Sequence, residues 1–170
     1  PNEVIVVDDC SSDRTNMIIH DYMKESRLVI RHEIQSTNSG AASARNAGWN
    51  IASEKYVAFL DADDMWHPNK LEIQFSAMEN SDDCAMSCHY RHVTDSEVWS
   101  DVQLDSSHQR FFTFQDFLIR NRCATPSVMV KREISSRFHP GKRYAEDYLL
   151  WLQISAVYGP VLFIDLPLVH

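Results

Sequence analysis

The 170-residue sequence has no excess of basic side chains, no long apolar run and no cysteine-rich framework. Sixteen Lys and Arg stand against 24 Asp and Glu, a formal net charge of -8. A surface of that sign repels phosphate backbones and argues against general nucleic-acid binding. No apolar run approaches the roughly 18 residues that span a bilayer. No basic-then-apolar leader opens the chain. The four cysteines, Cys10, Cys84, Cys88 and Cys123, do not make a disulfide framework at this length, and free thiols point to a reducing compartment. Repeats, low-complexity tracts and linkers are also missing, so one domain is the simplest partition. There is no initiator Met. Pro1-Asn2-Glu3 leads straight into Val4 to Val7, and the chain stops just after the apolar stretch Val161 to Val169. Both ends are expected to be cuts through a domain of a longer protein.

What is present reads as an ordinary folded chain, with 44% hydrophobic and 24% charged residues, long enough for a sizeable core. The apolar run Val4 to Val7 predicts a strand buried on both faces. Ser11-Ser12-Asp13 offers capping groups for a helix to about Glu25, with Ile18 and Tyr22, and Ile19 and Met23, paired at i,i+4. Leu28 to Ile34 and Tyr56 to Leu60 read as further strands. Ala41 to Ser53 reads as a helix behind the turn Asn38-Ser39-Gly40. After Pro68 a helix is expected with Leu71, Phe75 and Met78 inward. Cys84 to Tyr90 reads as a strand, Thr94 to Arg110 as a polar excursion or a hairpin, and Phe114 to Ile119 as a short helix. Ser127 to Lys131 reads as a strand, Phe138 to Arg143 as a loop, and Glu146 to Tyr158 as a helix with Leu149, Leu152 and Ala156 on one face. This alternation predicts an α/β fold with a mostly parallel sheet flanked by helices.

In such sheets ligands bind beyond the carboxyl ends of the strands. Two predicted strands end in acids there, Asp8-Asp9 and Asp61-Ala62-Asp63-Asp64. Carboxylates gathered on one rim need a cation or donors to offset their repulsion. Oxygen ligands of that kind suit a hard divalent ion with positions left open for phosphate. Gly40 permits close backbone approach, and Arg45 on the helix behind it can reach a phosphate or a carboxylate. Each feature alone has a plain structural reading: a turn residue, a helix cap, an exposed arginine.

Taken together the motifs resemble the inverting family 2 glycosyltransferases of the GT-A fold, a Rossmann-like architecture. The residues that carry the resemblance are Asp8-Asp9-Cys-Ser-Ser-Asp13, Asn38-x-Gly40-x-x-x-Ala44-Arg45-Asn46-x-Gly48, Phe59-Leu60-Asp61-Ala62-Asp63-Asp64-x-Trp66 and Glu146-Asp147. The resemblance implies transfer of a glycosyl group from a nucleotide-diphospho-sugar, a UDP-sugar above all, to an acceptor hydroxyl. It assigns Asp9, Asp8, Asn38, Gly40, Arg45 and Asp61 to the nucleotide. Asp9 would meet the base and Asp61 the ribose. It assigns Asp63 with Asp61 to Mg2+ or Mn2+, and Asp147 to the general base, supported by Glu146. About 1–92 would form the nucleotide-binding half and about 93–170 the acceptor-binding half. The acceptor would be a saccharide, a lipid-linked glycan or a protein. The implied location is cytoplasmic or at the cytoplasmic face of a membrane, with membrane contact through regions outside this chain.

Two departures from the family pattern stand out. The first strand and helix of the family are absent, so the chain reads as N-terminally truncated, with exposed edges on the neighbouring strands and no activity expected from it alone. No clear copy of the basic Trp-containing motif follows the base. A non-catalytic nucleotide-sugar-binding module stays open as an alternative, and a phospho-acceptor receiver domain is a more distant one.

Other groupings read as packing. Cys84, Cys88, His89 and His92 look like a zinc set, but on a strand Cys84 and Cys88 would share a face about 13 Å apart, with His89 turned away. His139-Pro140-Gly141-Lys142 reads as a loop without the frame of a phosphate-binding loop. Phe111, Phe112, Phe114 and Phe117 read as core rather than an acceptor lip. Trp66 and Trp151 also read as packing residues.

Overall fold

A computed structural model of the chain describes residues 1–81, 84–91, 106–141 and 144–169. The elements in order are β1 (Val4–Asp8), α1 (Thr15–Glu25), β2 (Ile30–Ile34), α2 (Ala41–Ile51), β3 (Tyr56–Ala58), α3 (Lys70–Glu79), β4 (Met86–Arg91), β5 (Gln109–Phe112), α4 (Phe114–Ile119), β6 (Met129–Lys131), α5 (Glu146–Val157) and β7 (Val161–Val169). Asp13 begins α1 as its sequence suggests: its carboxylate accepts the Thr15 N–H at 2.9 Å. Thr113 and Asp116 close a capping box on α4, satisfying two donors that a helix start leaves open.

The pairing is more mixed than strand–helix alternation predicts. β1 and β2 run parallel as a two-stranded sheet. A second sheet has the order β3-β6-β4-β7-β5. There β4 and β7 are parallel, while β6 runs antiparallel to both β3 and β4 and β5 antiparallel to β7. The antiparallel members come from the later part of the chain, where the strand–helix rhythm lapses. β7 was legible only as an apolar stretch, because Pro167 and Asp165 interrupt its pattern.

Among the described residues β1 pairs only with β2 and β3 only with β6, so each leaves one edge unpaired. Val4 to Val7 are accordingly half-buried rather than enclosed on both faces. α1 adds little cover. None of its residues is buried; of the expected pairs, Ile18 and Tyr22 lie exposed and Ile19 and Met23 half-buried. α2 joins the sheets. At Gly48 an added Cβ would stand 3.2 Å from the Val7 side chain, so this helix approaches β1 closely. One residue on, Trp49 is buried and meets Phe59 edge-on at 5.3 Å. Phe138 packs on Phe59 at 5.3 Å and on Trp151 of α5 at 5.7 Å. Such pairs add about 0.5–1.5 kcal/mol each beyond burial. This aromatic chain carries α2, the segment after β3 and the first half of α5 as one body.

Two helix faces differ from expectation. α3 buries Lys70, Ile73, Gln74, Ala77 and Met78, while Phe75 stays exposed and rests on Tyr56 at 5.9 Å. The pattern misled because two polar residues occupy the inward stripe. α5 buries Leu150, Trp151, Ile154 and Ser155, with Ala156 outside. That helix is apolar nearly all round, so periodicity cannot choose its face.

Cys84 precedes β4 and joins one core cluster, while Cys88 joins the other. They therefore do not share a face as a continuous strand would make them. His92, residues 94–105, Lys142 and Arg143 lie outside the described residues. Phe117 is fully buried and Phe112 partly so, whereas Phe111 is exposed. Trp151 is core. Trp66 donates its indole N–H to the Pro126 carbonyl at 2.8 Å. No helix among the described residues is long and apolar enough to cross a membrane.

Candidate functional site

Strand alternation separates the two acids that end β1. Asp8 lies on the face of Val4 and Val6 and is buried. One of its oxygens accepts the Ser11 N–H at 3.1 Å and the Ser11 hydroxyl. The Ser11 hydroxyl is the main reason its carboxyl sits below the usual range, and nearby His32 adds to this. Asp8 thus holds the turn after β1 through one of its oxygens.

Asp9 points the other way. Its two oxygens accept the backbone N–H groups of Ser39 at 2.8 Å and Gly40 at 2.7 Å. It therefore clamps the entry to α2, and each oxygen keeps a second lone pair for an incoming donor. Gly40 has φ +86°, a conformation that resists a side chain, although an added Cβ would meet nothing within 4 Å. Glycine here serves the turn. Asn38 lies exposed in that turn.

Arg45, on the second turn of α2, is the centre of the site. Its guanidinium donates to Asp61 at 2.7 Å and to Glu146 at 3.4 Å and lies over the Phe138 ring at 5.4 Å. Only 16% of its side chain is exposed. The neighbouring Asn46 holds Phe138 from both sides, donating to its carbonyl at 2.7 Å and accepting its N–H at 3.0 Å. One helix thus ties the acids after β3 to the acids that open α5. The sequence carried each motif separately, and the structure brings Arg45, Asp61 and Glu146 together.

Asp147 follows Glu146 in the first turn of α5, where its carboxylate accepts the Tyr148 N–H at 2.6 Å. Helix-start acids are favourable in their own right. The entry to that turn is unusual, because Ala145 is held at φ 56°. Behind Asp147 lies Cys123, nearly fully buried. Burial, then the Cys88 thiol and the Asp147 carboxylate, push the Cys123 thiol well above its usual range. Tyr148 donates its hydroxyl to the Phe117 carbonyl of α4. Nothing in the sequence pattern marks Tyr148, since a tyrosine in an apolar helix reads as core.

Asp63 is exposed, and among the described residues its carboxylate has no side-chain partner. Asp61 has one oxygen engaged by Arg45. Carboxylates are the donors that hard divalent cations take, so the residues present fit Mg2+ or Mn2+. Among the described residues no three His, Cys, Asp or Glu side chains converge on one point. Such an ion would therefore complete its shell with water or phosphate oxygens.

Comparison with known proteins bears on this geometry. Residues 1–137 match the family model described as glycosyl transferase family 2. A putative teichuronic acid biosynthesis glycosyltransferase, TuaG of Bacillus subtilis, is 35% identical over 156 residues, covering 89% of this chain and 60% of its own length. WfgD of Escherichia coli is a UDP-Glc:alpha-D-GlcNAc-diphosphoundecaprenol beta-1,3-glucosyltransferase. It is 31% identical over 152 residues, covering 89% of this chain and 57% of itself. The chain thus spans less than two thirds of either relative.

Among solved structures, S. aureus TarS 1-349 in complex with UDP-GlcNAc superposes with a TM-score of 0.75 at 20% identity, over 98% of this chain and 48% of TarS. The mannosyltransferase PcManGT of Pyrobaculum calidifontis, solved with GDP-Man and Mn2+, gives 0.69 at 18% identity, over 98% of this chain and 47% of its own. At those identities the likeness establishes the shared GT-A fold.

Proposed function

This chain belongs to glycosyl transferase family 2, and on that footing we propose that it carries the donor site and general base of an enzyme transferring a glycosyl group, with inversion, from a UDP-sugar to an acceptor hydroxyl. The observation that carries the reading is the bridge Asp61–Arg45–Glu146. One cation links an acid of the Asp61-Ala62-Asp63 motif to the acid beside Asp147, which supports reading the first motif as the metal–diphosphate side and Asp147 as the proton acceptor.

The residues take the following parts. Asp9 accepts from the base of the nucleotide, beside the turn it clamps. Arg45 and Asp61 hold the nucleotide from the far side. Asp63 with Asp61 binds Mg2+ or Mn2+, which when present supplies charge to the leaving diphosphate. Asp147 takes the proton of the acceptor hydroxyl as that oxygen attacks the anomeric carbon. Glu146 stays paired with Arg45. WfgD and TuaG favour a glycan or lipid-linked glycan acceptor in polysaccharide assembly.

Calorimetric titration of UDP into the protein, with and without Mn2+, tests the donor site. Metal-dependent binding that disappears in Asp63→Ala is the expected result. Binding indifferent to Mn2+ would remove the metal from the proposal.

A further inference from the structure

Asp147 lies between two residues that are each tied to a different element. On one side Glu146 reaches Arg45 of α2 at 3.4 Å. On the other, the Tyr148 hydroxyl bonds the Phe117 carbonyl in α4, whose side chain is itself fully buried. The turn they bracket begins at Ala145, held at φ 56°. A left-handed alanine costs roughly 1–2 kcal/mol and persists only when its surroundings over-determine it.

Leu150, Trp151 and Ile154 already bury α5 in the core. What the pair of ties adds is orientation. A free first turn frays, and a fraying turn would let Asp147 swing away from an acceptor hydroxyl. Tying Glu146 toward the donor side and Tyr148 toward α4 fixes the turn about its own axis.

We propose that Tyr148, through its hydroxyl bond to the Phe117 carbonyl, is a positioning residue for Asp147, acting as the counterpart of the Arg45–Glu146 pair. It touches neither donor nor acceptor. The inference rests on the reading of Asp147 as the base. It also makes α4, rather than α5 alone, a determinant of turnover.

The test measures UDP release from UDP-Glc and UDP-GlcNAc in the presence of Mn2+, water taking the glycosyl group in place of the acceptor hydroxyl, with UDP affinity by calorimetry, for the full protein and its Tyr148→Phe, Glu146→Gln and Asp147→Asn variants. Tyr148→Phe removes one oxygen and keeps the ring in place. Its kcat should fall about 10- to 100-fold, as misplacement by about 1 Å does, with KM and UDP affinity within about twofold. Glu146→Gln should lower kcat in the same way. Hydrogen exchange at the Leu149 amide, bonded to the Ala145 carbonyl at 3.0 Å, gives a readout without turnover and should quicken in Tyr148→Phe.

Unchanged kcat or unchanged exchange in Tyr148→Phe overturns the proposal while leaving Asp147 as base. A parallel loss of kcat and UDP affinity also overturns it, because that is general loosening. Full activity in Asp147→Asn removes the base itself, and the inference goes with it.

Discussion

Arg45 and Glu146 lie 101 positions apart in the chain and 3.4 Å apart in space. The same guanidinium holds Asp61 at 2.7 Å. Two carboxylates that would repel each other therefore share one planar cation, whose fork suits two acceptors at once. Around this pair the acids after β3 and the acids that open α5 have a common reference point.

Removing that cation should loosen both sides. Arg45→Ala is expected to cost about 1–2 kcal/mol of stability, a value reduced from that of a fully buried pair because Asp61 and Glu146 keep some solvent. UDP affinity should fall as well. Arg45→Lys should recover little, because one ammonium cannot serve both acids in a fixed fork. Thermal melting and UDP titration of both variants check this.

Asp61 and Asp63 should separate. Asp63→Ala leaves every described side-chain contact intact, so stability should stay within about 0.5 kcal/mol while Mn2+-dependent UDP binding is lost. Asp61→Ala strips a partner from Arg45 and should lower stability by about 1 kcal/mol in addition. Equal melting temperatures for the two variants would contradict the Arg45–Asp61 bond as described.

At Gly40 the backbone conformation decides. With φ +86° and ψ 166° and open space around it, Gly40→Ala should cost about 1–3 kcal/mol through backbone strain alone. The Asp9 bonds to this turn should weaken with it, so UDP affinity drops in parallel. A variant as stable as the parent would mean that the turn relaxes.

Lys70 makes stability depend on pH. It is fully buried, donates to Gln74 at 2.6 Å and rests over the Trp66 ring at 4.0 Å. Burial lowers its pKa from 10.5 to about 7. Between those two values the unfolded chain holds a proton that the folded chain has lost, so stability rises with pH across that window. Below about pH 7 both states are charged and the burial penalty is complete. The slope is at most about 1.4 kcal/mol per pH unit. Lys70→Met should remove it, as denaturant melts from pH 6 to 10 will register.

How much of this was legible beforehand differs by element. Each acid motif was visible because it combines unusual residues at short range: Asp8-Asp9, Asp61-Ala62-Asp63 and Glu146-Asp147. The helices and most strands followed from apolar spacing. The buried stripe of α3 did not, since Lys70 and Gln74 look like surface residues until Ser87 and the Ser127 carbonyl are found around Gln74 at 3.1 and 2.9 Å. Nor did the difference between Asp8 and Asp9. The doublet looks equivalent in sequence, and only the tertiary structure turns Asp8 to Ser11 and Asp9 to the Ser39 and Gly40 backbone.

The chain's own residues were enough for the family, the helices and most strands, though not for β5 or β7, because local spacing and side-chain type are properties of the chain alone. Tertiary structure decided which residues meet. Arg45 could have faced solvent, phosphate or carboxylate. It faces Asp61 and Glu146 because Trp49, Phe59, Phe138 and Trp151 pack α2 against α5, and contacts between residues so distant in sequence leave no local pattern to read.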